Sequence, residues 1–120
     1  MLRLDLFKFE NLNVYQKALI FVNDMYNLSK TWPRSEVFGL TNQLRRAAIS
    51  IVLNIAEGSS RTNKDFGHFL SLSRGSCFEC VAILTIARNQ GLVNVNDFTK
   101  FYTQCLEIAR MLSSLRSKVK

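Results

Sequence analysis

The residue types that could perform chemistry in this chain are three cysteines, Cys77, Cys80 and Cys105, and one histidine, His68. Thiolates and imidazole are the ligands that zinc prefers, and a C-x-x-C spacing also occurs in redox pairs. Cys77 and Cys80, however, fall on an apolar helical seam, about two to three turns from His68. We therefore expect three buried apolar thiols, with no metal site and no disulfide framework.

Sequence motifs of the common enzyme classes are absent. The chain has no G-x-x-x-x-G-K-[ST], G-x-G-x-x-G, H-E-x-x-H or G-x-S-x-G motif. It also lacks the paired carboxylates and the Glu-x-x-His motif of di-iron bundles. His68 has no sequence partner that would mark it as catalytic. We therefore predict that the protein is not an enzyme and that it needs no cofactor.

Basic residues outnumber acidic ones, with 16 Lys and Arg against nine Asp and Glu and a formal charge of +7. Such a balance favours polyanionic partners such as RNA, DNA or acidic proteins. Two alternatives stay open, because a basic surface also keeps a protein soluble and cations complement the C-terminal end of a helix. The candidate nucleic-acid-binding residues are Arg61, Lys64, Arg74, Arg88, Arg110, Arg116 and Lys118.

A narrow polar stripe interrupts a strongly apolar segment. Eight of the ten residues from Ala47 to Ala56 are apolar, so this helix must be buried on nearly every side. Part of the polar stripe must then find partners inside protein. At helical spacing the stripe consists of Gln43, Arg46, Ser50, Asn54 and Glu57.

Two adjacent arginines, Arg45 and Arg46, lie in the same apolar surroundings. Because an unpaired buried charge is costly, we predict that at least one of them pairs with a glutamate, within or between subunits. The alternative is that both arginines face solvent and contact phosphate. The predicted polar network or interface consists of Gln43, Arg45, Arg46, Ser50, Asn54, Glu57 and Glu79.

The elements that must position these residues are predicted to be four helices, over residues 13–31, 34–58, 63–90 and 95–118. Apolar residues recur at alternating three–four spacing, which favours near-parallel packing, and short loops make neighbouring helices antiparallel. Trp32-Pro33 separates the first two helices, while Gly58 and Gly91 end the second and third. The sequence thus predicts an all-α, up-down-up-down four-helix bundle forming a single domain over residues 1–120.

The apolar surface of the second helix exceeds the stripe that one bundle core needs, so we predict a homo-oligomer. A row of small residues, Gly67, Ser71 and Gly75, favours close helix packing, with tolerated surface positions as the alternative. Charges interrupt the apolar runs, and the N-terminus lacks the continuous apolar core of a signal peptide. We expect a cytoplasmic protein that does not enter a membrane.

The segment from Trp32 to Arg61, WPRSEVFGLTNQLRRAAISIVLNIAEGSSR, carries a family resemblance, together with Gly75-Ser76 and Glu79. It resembles the Pro…Glu…GLT-x-Q-x-RRA…S…NIAEG and GS-x-x-E patterns of proteins encoded in intervening sequences of bacterial 23S ribosomal RNA genes. That family includes relatives of the accessory variability protein of diversity-generating retroelements. The resemblance implies a homopentameric barrel of basic four-helix bundles. For the retroelement relatives it also implies binding to nucleic acid and to a reverse transcriptase.

Charge, fold and resemblance together lead to two functional hypotheses. The first is a non-enzymatic, homo-oligomeric protein that contacts RNA or DNA through its basic surface. One form of this hypothesis is a reverse-transcriptase accessory factor. The alternative is a protein-interaction scaffold that does not bind nucleic acid directly. Phosphate contacts weaken steeply with salt, whereas an apolar docking interface does not, so salt dependence separates the two hypotheses.

Overall fold

Helices make up most of the chain. The computed structural model describes residues 3–120, so the first two residues of the predicted domain lie outside the described range. Within this range there is no β-strand, and the predicted all-α class is confirmed. The four α-helices are α1 (Asn13–Ser29), α2 (Asn42–Ser59), α3 (Asn63–Asn89) and α4 (Val95–Lys118).

The apolar seams of the four helices meet in one core. α1 packs against α2 and α4, and α3 packs against α2 and α4. The seam of α3 that contains Cys77 and Cys80 is buried along its whole length. Its residues are Phe66, Leu70, Ser73, Cys77, Cys80, Leu84 and Ala87. The largest fully buried side chains of the core are Phe21, Met25, Leu44, Ile51, Ile55, Leu70, Leu84, Ile108 and Leu112.

Local signals set the bounds of α3 and α4. The Thr62 hydroxyl accepts a hydrogen bond from the Asp65 N–H at 3.3 Å, and the Asn94 side chain accepts one from the Asp97 N–H at 2.7 Å. Gly91 follows α3 with φ of +77°, a left-handed conformation that favours glycine. These bonds satisfy N–H groups that the first helical turn leaves free, and they fix where each helix begins.

The predicted start of the second helix at residue 34 is wrong. Pro33 is extended, with ψ of 148°, and it is followed by a 3₁₀-helix (Arg34–Glu36) and a π-helical turn (Val37–Thr41). Gly39, at φ −113° and ψ −110°, lies outside the helical region and breaks the path between them and α2. The regular α-helix therefore begins only at Asn42.

The predicted end of the second helix at Gly58 is wrong by one residue. Gly58 lies inside α2, without a positive φ, and the helix continues to Ser59. Its role is close packing. A Cβ atom at this position would lie 2.6 Å from Phe69 Cβ and 2.9 Å from Phe66 Cδ1. The missing side chain is what allows the end of α2 to approach the start of α3.

Within the described residues of the single chain nothing packs on the small-residue row at its exposed end, Gly75, where a Cβ atom would have no neighbour within 4 Å. At Gly67 a Cβ atom would lie 3.8 Å from Arg116 Cγ, an ordinary contact. α3 is also long and apolar enough to cross a membrane by length and composition alone, a test that core helices of soluble proteins pass as well. In this fold its seam is buried between α2 and α4.

Candidate nucleic-acid interface

An open basic groove lies between the start of α3 and the end of α4. It has a volume of about 560 Å³, and in the described part of the chain no Asp or Glu lines it. We call this the terminal groove. Its polar lining residues include Lys64, His68, Ser71, Ser113, Arg116 and Lys120.

The ends of the two helices place the cations of the terminal groove. Lys64 lies in the first turn of α3, where the positive end of the helix dipole disfavours a cation. Arg116 lies in the last turn of α4, and Lys120 follows the helix. The aliphatic part of Arg116 lies against α3 at Gly67, with Cγ 3.8 Å from the position of a Cβ atom. The result is a concentration of positive charge at one end of the bundle.

The groove brings together two of the seven predicted nucleic-acid-binding residues, Lys64 and Arg116. Lys118 is exposed at the end of α4 but does not line the groove. Arg110 lines a separate depression on α4. Two further residues of the groove, His68 and Lys120, were not among the candidates.

His68 could have been found from the sequence, because it lies four residues after Lys64 and so shares its face of α3. In the groove His68 is a polar lining residue. The sequence signal of Lys120 is only its positive charge and its position just after α4.

The remaining predicted cations have partners within the chain. The Arg61 Nε donates to Glu57 Oε2 at 3.2 Å, and its guanidinium lies 5.4 Å from the Phe69 ring centroid. The guanidinium groups of Arg74 and Arg88 lie over aromatic rings of Phe78 and Phe98, at 4.7 and 4.4 Å. Aromatic faces attract cations, so these three guanidinium groups are held against the protein surface.

Two of the five residues of the predicted polar stripe on α2, Ser50 and Asn54, form an internal network. The Asn54 Nδ2 donates to the Ser50 carbonyl at 2.8 Å and to the Ser50 hydroxyl at 3.0 Å. Ser76, on α3, donates to the Ser50 hydroxyl at 2.9 Å. Gln43 and Arg46 are exposed on the same stripe. Two residues of the stripe therefore have hydrogen-bond partners within the fold.

The prediction that Arg45 or Arg46 pairs with a glutamate of the same chain is wrong. Among residues 3–120, Glu57 pairs only with Arg61, and Glu79 is exposed and forms no ion pair. Arg46 is exposed. The helix register turns its side chain away from the core and into solvent. There, solvation costs less than holding the side chain in an ion pair. Pairing between subunits stays a prediction.

Arg45 has a different internal partner. Its Nε donates to the buried Ser29 hydroxyl at 2.8 Å, and its guanidinium lies 4.6 Å from the Tyr26 ring centroid. Ser29 itself donates to the Met25 carbonyl at 2.7 Å. A hydroxyl and an aromatic face of α1 therefore take the place of the predicted carboxylate.

The three cysteines are free and buried, as expected for apolar side chains. Burial raises the pKa of the Cys77 thiol to about 12 and raises the pKa values of Cys80 and Cys105 well above their ordinary range. The thiolate is the nucleophile and the metal ligand, so these cysteines stay inert thiols at neutral pH. Residues 3–120 contain no cluster of three or more potential metal ligands.

Comparison with known proteins gives a family match and a structural match. The model of a family described as 23S rRNA-intervening sequence protein matches residues 10–114. The chain is also similar to a crystal structure of a protein of unknown function from the S23 ribosomal protein family of Bacteroides thetaiotaomicron VPI-5482. That match has a TM-score of 0.80 and 23% identity, and it covers 87% of this chain and 95% of the other. At this identity the likeness shows the fold alone. No curated protein matches the chain significantly.

Proposed function

The chain belongs to the 23S rRNA-intervening sequence protein family, and from this premise we propose that it is a non-enzymatic protein that binds RNA or DNA through the terminal groove. The observation that carries the proposal is that Lys64, Arg116 and Lys120 line one open groove without an acidic residue in the described chain. Such a site attracts phosphate groups over a distance of about 10 Å at moderate salt.

The chemistry of the groove favours backbone contact over base recognition. Its cations are exposed, and its other polar groups are short hydroxyls and one imidazole. Phosphate contacts position a nucleic acid without reading its sequence. Across residues 3–120 no sheet offers aromatic side chains on which single-stranded bases could stack. The expected ligand is therefore a structured RNA or a duplex, bound with little sequence preference.

Assembly would multiply the groove. We propose the up-down-up-down arrangement predicted from the loop lengths, and a homo-oligomer for which the family resemblance implies five copies. Support comes from exposed apolar side chains: Phe38 is 97%, Leu53 60% and Ile20 56% exposed in the single chain. Linked copies of a weak site raise the overall affinity without any new contact. Light scattering should give a mass that is a multiple of 13.8 kDa.

A protein-interaction scaffold is the second candidate function, favoured by an apolar groove between α3 and α4. This groove holds about 170 Å³, and its floor includes Cys77 and Cys105. Phe78 and Leu106 line it and are 57% and 41% exposed. A reverse transcriptase is the partner that the family resemblance brings to this hypothesis. In either role the protein would work in the cytoplasm, away from the membrane.

The test is fluorescence-anisotropy titration of the full chain with labelled structured RNA and duplex DNA, from about 0.05 to 0.2 M salt. For a duplex, we expect the logarithm of the association constant to fall by about 0.9 per phosphate contact for each tenfold rise in salt concentration. Arg116→Gln should lower that slope by about one contact. Arg110→Gln is the matched control, because it removes the same charge from the same helix outside the groove.

Equal losses in the two variants would show that net charge, and not the terminal groove, governs binding. Absent or salt-insensitive binding of the unmodified protein would contradict the proposed function. The apolar groove would then be the surface to test with protein partners.

A further inference from the structure

A second cationic pocket lies where the chain passes from α1 into α2. It has a volume of about 410 Å³, and its lining includes Lys30, Arg34 and Arg45. Within residues 3–120 no acidic side chain lines it. We call this the junction pocket. α2 has 18 residues, so about 27 Å of helix separates the junction pocket from the end of α2 that approaches the terminal groove.

The lining of this pocket includes a residue whose buried hydroxyl has no partner. Thr41 lines it and is only 6% exposed. Its Oγ1 forms no hydrogen bond in the described part of the chain, and the side chain does not cap α2. Leaving such a group unsatisfied costs about 1–3 kcal/mol. Because less than 1 Å² of this atom is exposed, a ligand oxygen removes this cost only when the hydroxyl turns toward the pocket.

The start of α2 also lies at this pocket. Thr41 is the residue before α2, and Asn42, the first residue of the helix, also lines the pocket. The π-helical turn runs directly into α2, and the Asn42 N–H donates to the Gly39 carbonyl, so this is not a free helix terminus. No acidic residue occupies the first turn of α2 to offset the side-chain cations. Three side-chain cations therefore share one cavity that no carboxylate lines in the described chain.

Arg45 is held in advance of any ligand. Its Nε is bound to Ser29 at 2.8 Å and its guanidinium stacks over Tyr26 at 4.6 Å. The terminal nitrogens of the guanidinium, with four N–H donors, remain for a ligand. The buried Trp32 forms a fixed wall, because its Nε1 donates to the Leu92 carbonyl at 3.2 Å. Donors that are already oriented lose less entropy on binding an anion.

We propose that the junction pocket binds a phosphate group, as inorganic phosphate or as a phosphomonoester. A phosphate offers several acceptor oxygens and a double charge, which match a guanidinium, two further cations and a hydroxyl better than a single carboxylate does. The cavity exceeds the size of the phosphate alone, so an organic group attached to it can fit. The source is either a small phosphorylated molecule or the terminal phosphate of a nucleic acid.

The first experiment is calorimetric titration of inorganic phosphate into the full chain in chloride buffer, followed by phosphorus NMR. We expect saturable binding at one site per chain. Arg34→Gln should weaken it about tenfold, since one charge-assisted hydrogen bond is lost. Thr41→Val, which keeps the side-chain volume, should weaken it about fivefold. Lys30 and Arg34 are exposed, so their Gln variants should stay folded even if an Arg45 variant does not.

Arg116→Gln is the control, because it alters only the terminal groove and should leave phosphate affinity unchanged. A protein that loses nucleic-acid binding in Arg116→Gln but keeps phosphate binding separates the two proposals. Phosphate binding that is absent, or that Arg34→Gln and Arg116→Gln weaken equally, would overturn the junction site.

Two oligonucleotides then identify the source, one with a 5′-phosphate and one with a 5′-hydroxyl. Tighter binding of the phosphorylated one, lost in Arg34→Gln, assigns the pocket to a nucleic-acid end. Equal binding of both, with inorganic phosphate still saturating the pocket, assigns it to a small phosphorylated molecule. Inorganic phosphate that binds with the same affinity to unmodified protein and to Thr41→Val/Arg34→Gln would refute both assignments.

Discussion

The terminal groove and the junction pocket are both basic, but they hold their cations differently. Lys64, Arg116 and Lys120 are exposed, and none of their side chains forms a hydrogen bond or ion pair with another part of residues 3–120. In the junction pocket Arg45 is half-buried and bound to Ser29, beside a buried hydroxyl. One region has free charges over about 560 Å³, and the other has a fixed donor in about 410 Å³.

This difference determines what each region can recognise. Free, hydrated cations bind a polyanion mainly by releasing its counterions, which gives affinity without demanding a shape. A fixed donor beside a buried hydroxyl binds tightly only a ligand whose oxygens lie within hydrogen-bond distance of it. A ligand that is placed differently leaves polar groups unpaired, which costs binding free energy. The same net charge can thus support an extended, unselective contact at one end of α2 and a small, selective one at the other.

The largest expected effect comes from removing the three cations of the terminal groove. Lys64→Gln/Arg116→Gln/Lys120→Gln should lower the salt slope of nucleic-acid binding by about 2.7, for three contacts at about 0.9 each. At about 0.1 M salt this corresponds to a loss of two to three orders of magnitude in affinity. Anisotropy titration measures it. Phosphate binding at the junction pocket should not change, and a parallel loss there would mean that long-range charge links the two regions.

The next effect concerns the packing of the end of α2 against the start of α3, near the terminal groove. Gly58→Ala should destabilise the fold by about 2 kcal/mol, because the added Cβ would meet Phe69 Cβ at 2.6 Å. Gly75→Ala is the control in the same bundle. Its Cβ meets nothing within 4 Å, so it should stabilise α3 by about 0.5–1 kcal/mol. Urea unfolding measures both. A destabilising Gly75→Ala would indicate that another subunit packs on that row.

A neighbouring pair of arginines gives a third, smaller effect. Arg45→Gln should cost about 1–1.5 kcal/mol of stability, since it removes the hydrogen bond to Ser29 and the contact with Tyr26. Arg46→Gln, at an exposed position, should change stability by less than about 0.5 kcal/mol. Thermal unfolding compares them. If Arg46→Gln instead dissociates an oligomer in light scattering, pairing between subunits is supported.

The helices that were predicted best are those whose bounds are encoded locally. The predicted third and fourth helices, 63–90 and 95–118, end within one residue of α3 and α4. Their caps lie within three residues of the groups they satisfy, so a single sequence contains the whole signal. The start of α2 was missed because Pro33 is compatible with a helix start, and no side-chain cap marks the break at Gly39 or the first residue of α2.

The candidate sites were less predictable, because they join residues far apart in the chain. Lys64 and His68 can be placed on one face from their spacing. The position of Arg116 beside them depends on how α4 lies against α3, and helical period does not fix that register. The same is true of Arg45 and Ser29. Apolar surroundings in sequence suggested a charge partner, whereas the fold supplies a hydroxyl and a ring.

The smallest expected effect has the opposite sign and tests the buried hydroxyl itself. Thr41→Val should leave stability unchanged or raise it by up to about 1 kcal/mol, because it replaces an unpartnered buried hydroxyl with a methyl group of similar size. Urea unfolding in phosphate-free buffer measures it. Adding phosphate should make the unmodified protein more stable than Thr41→Val, since only the unmodified protein gains the full stabilisation of a bound ligand. A Thr41→Val protein that is less stable in both buffers would show that this hydroxyl serves the fold and not a ligand.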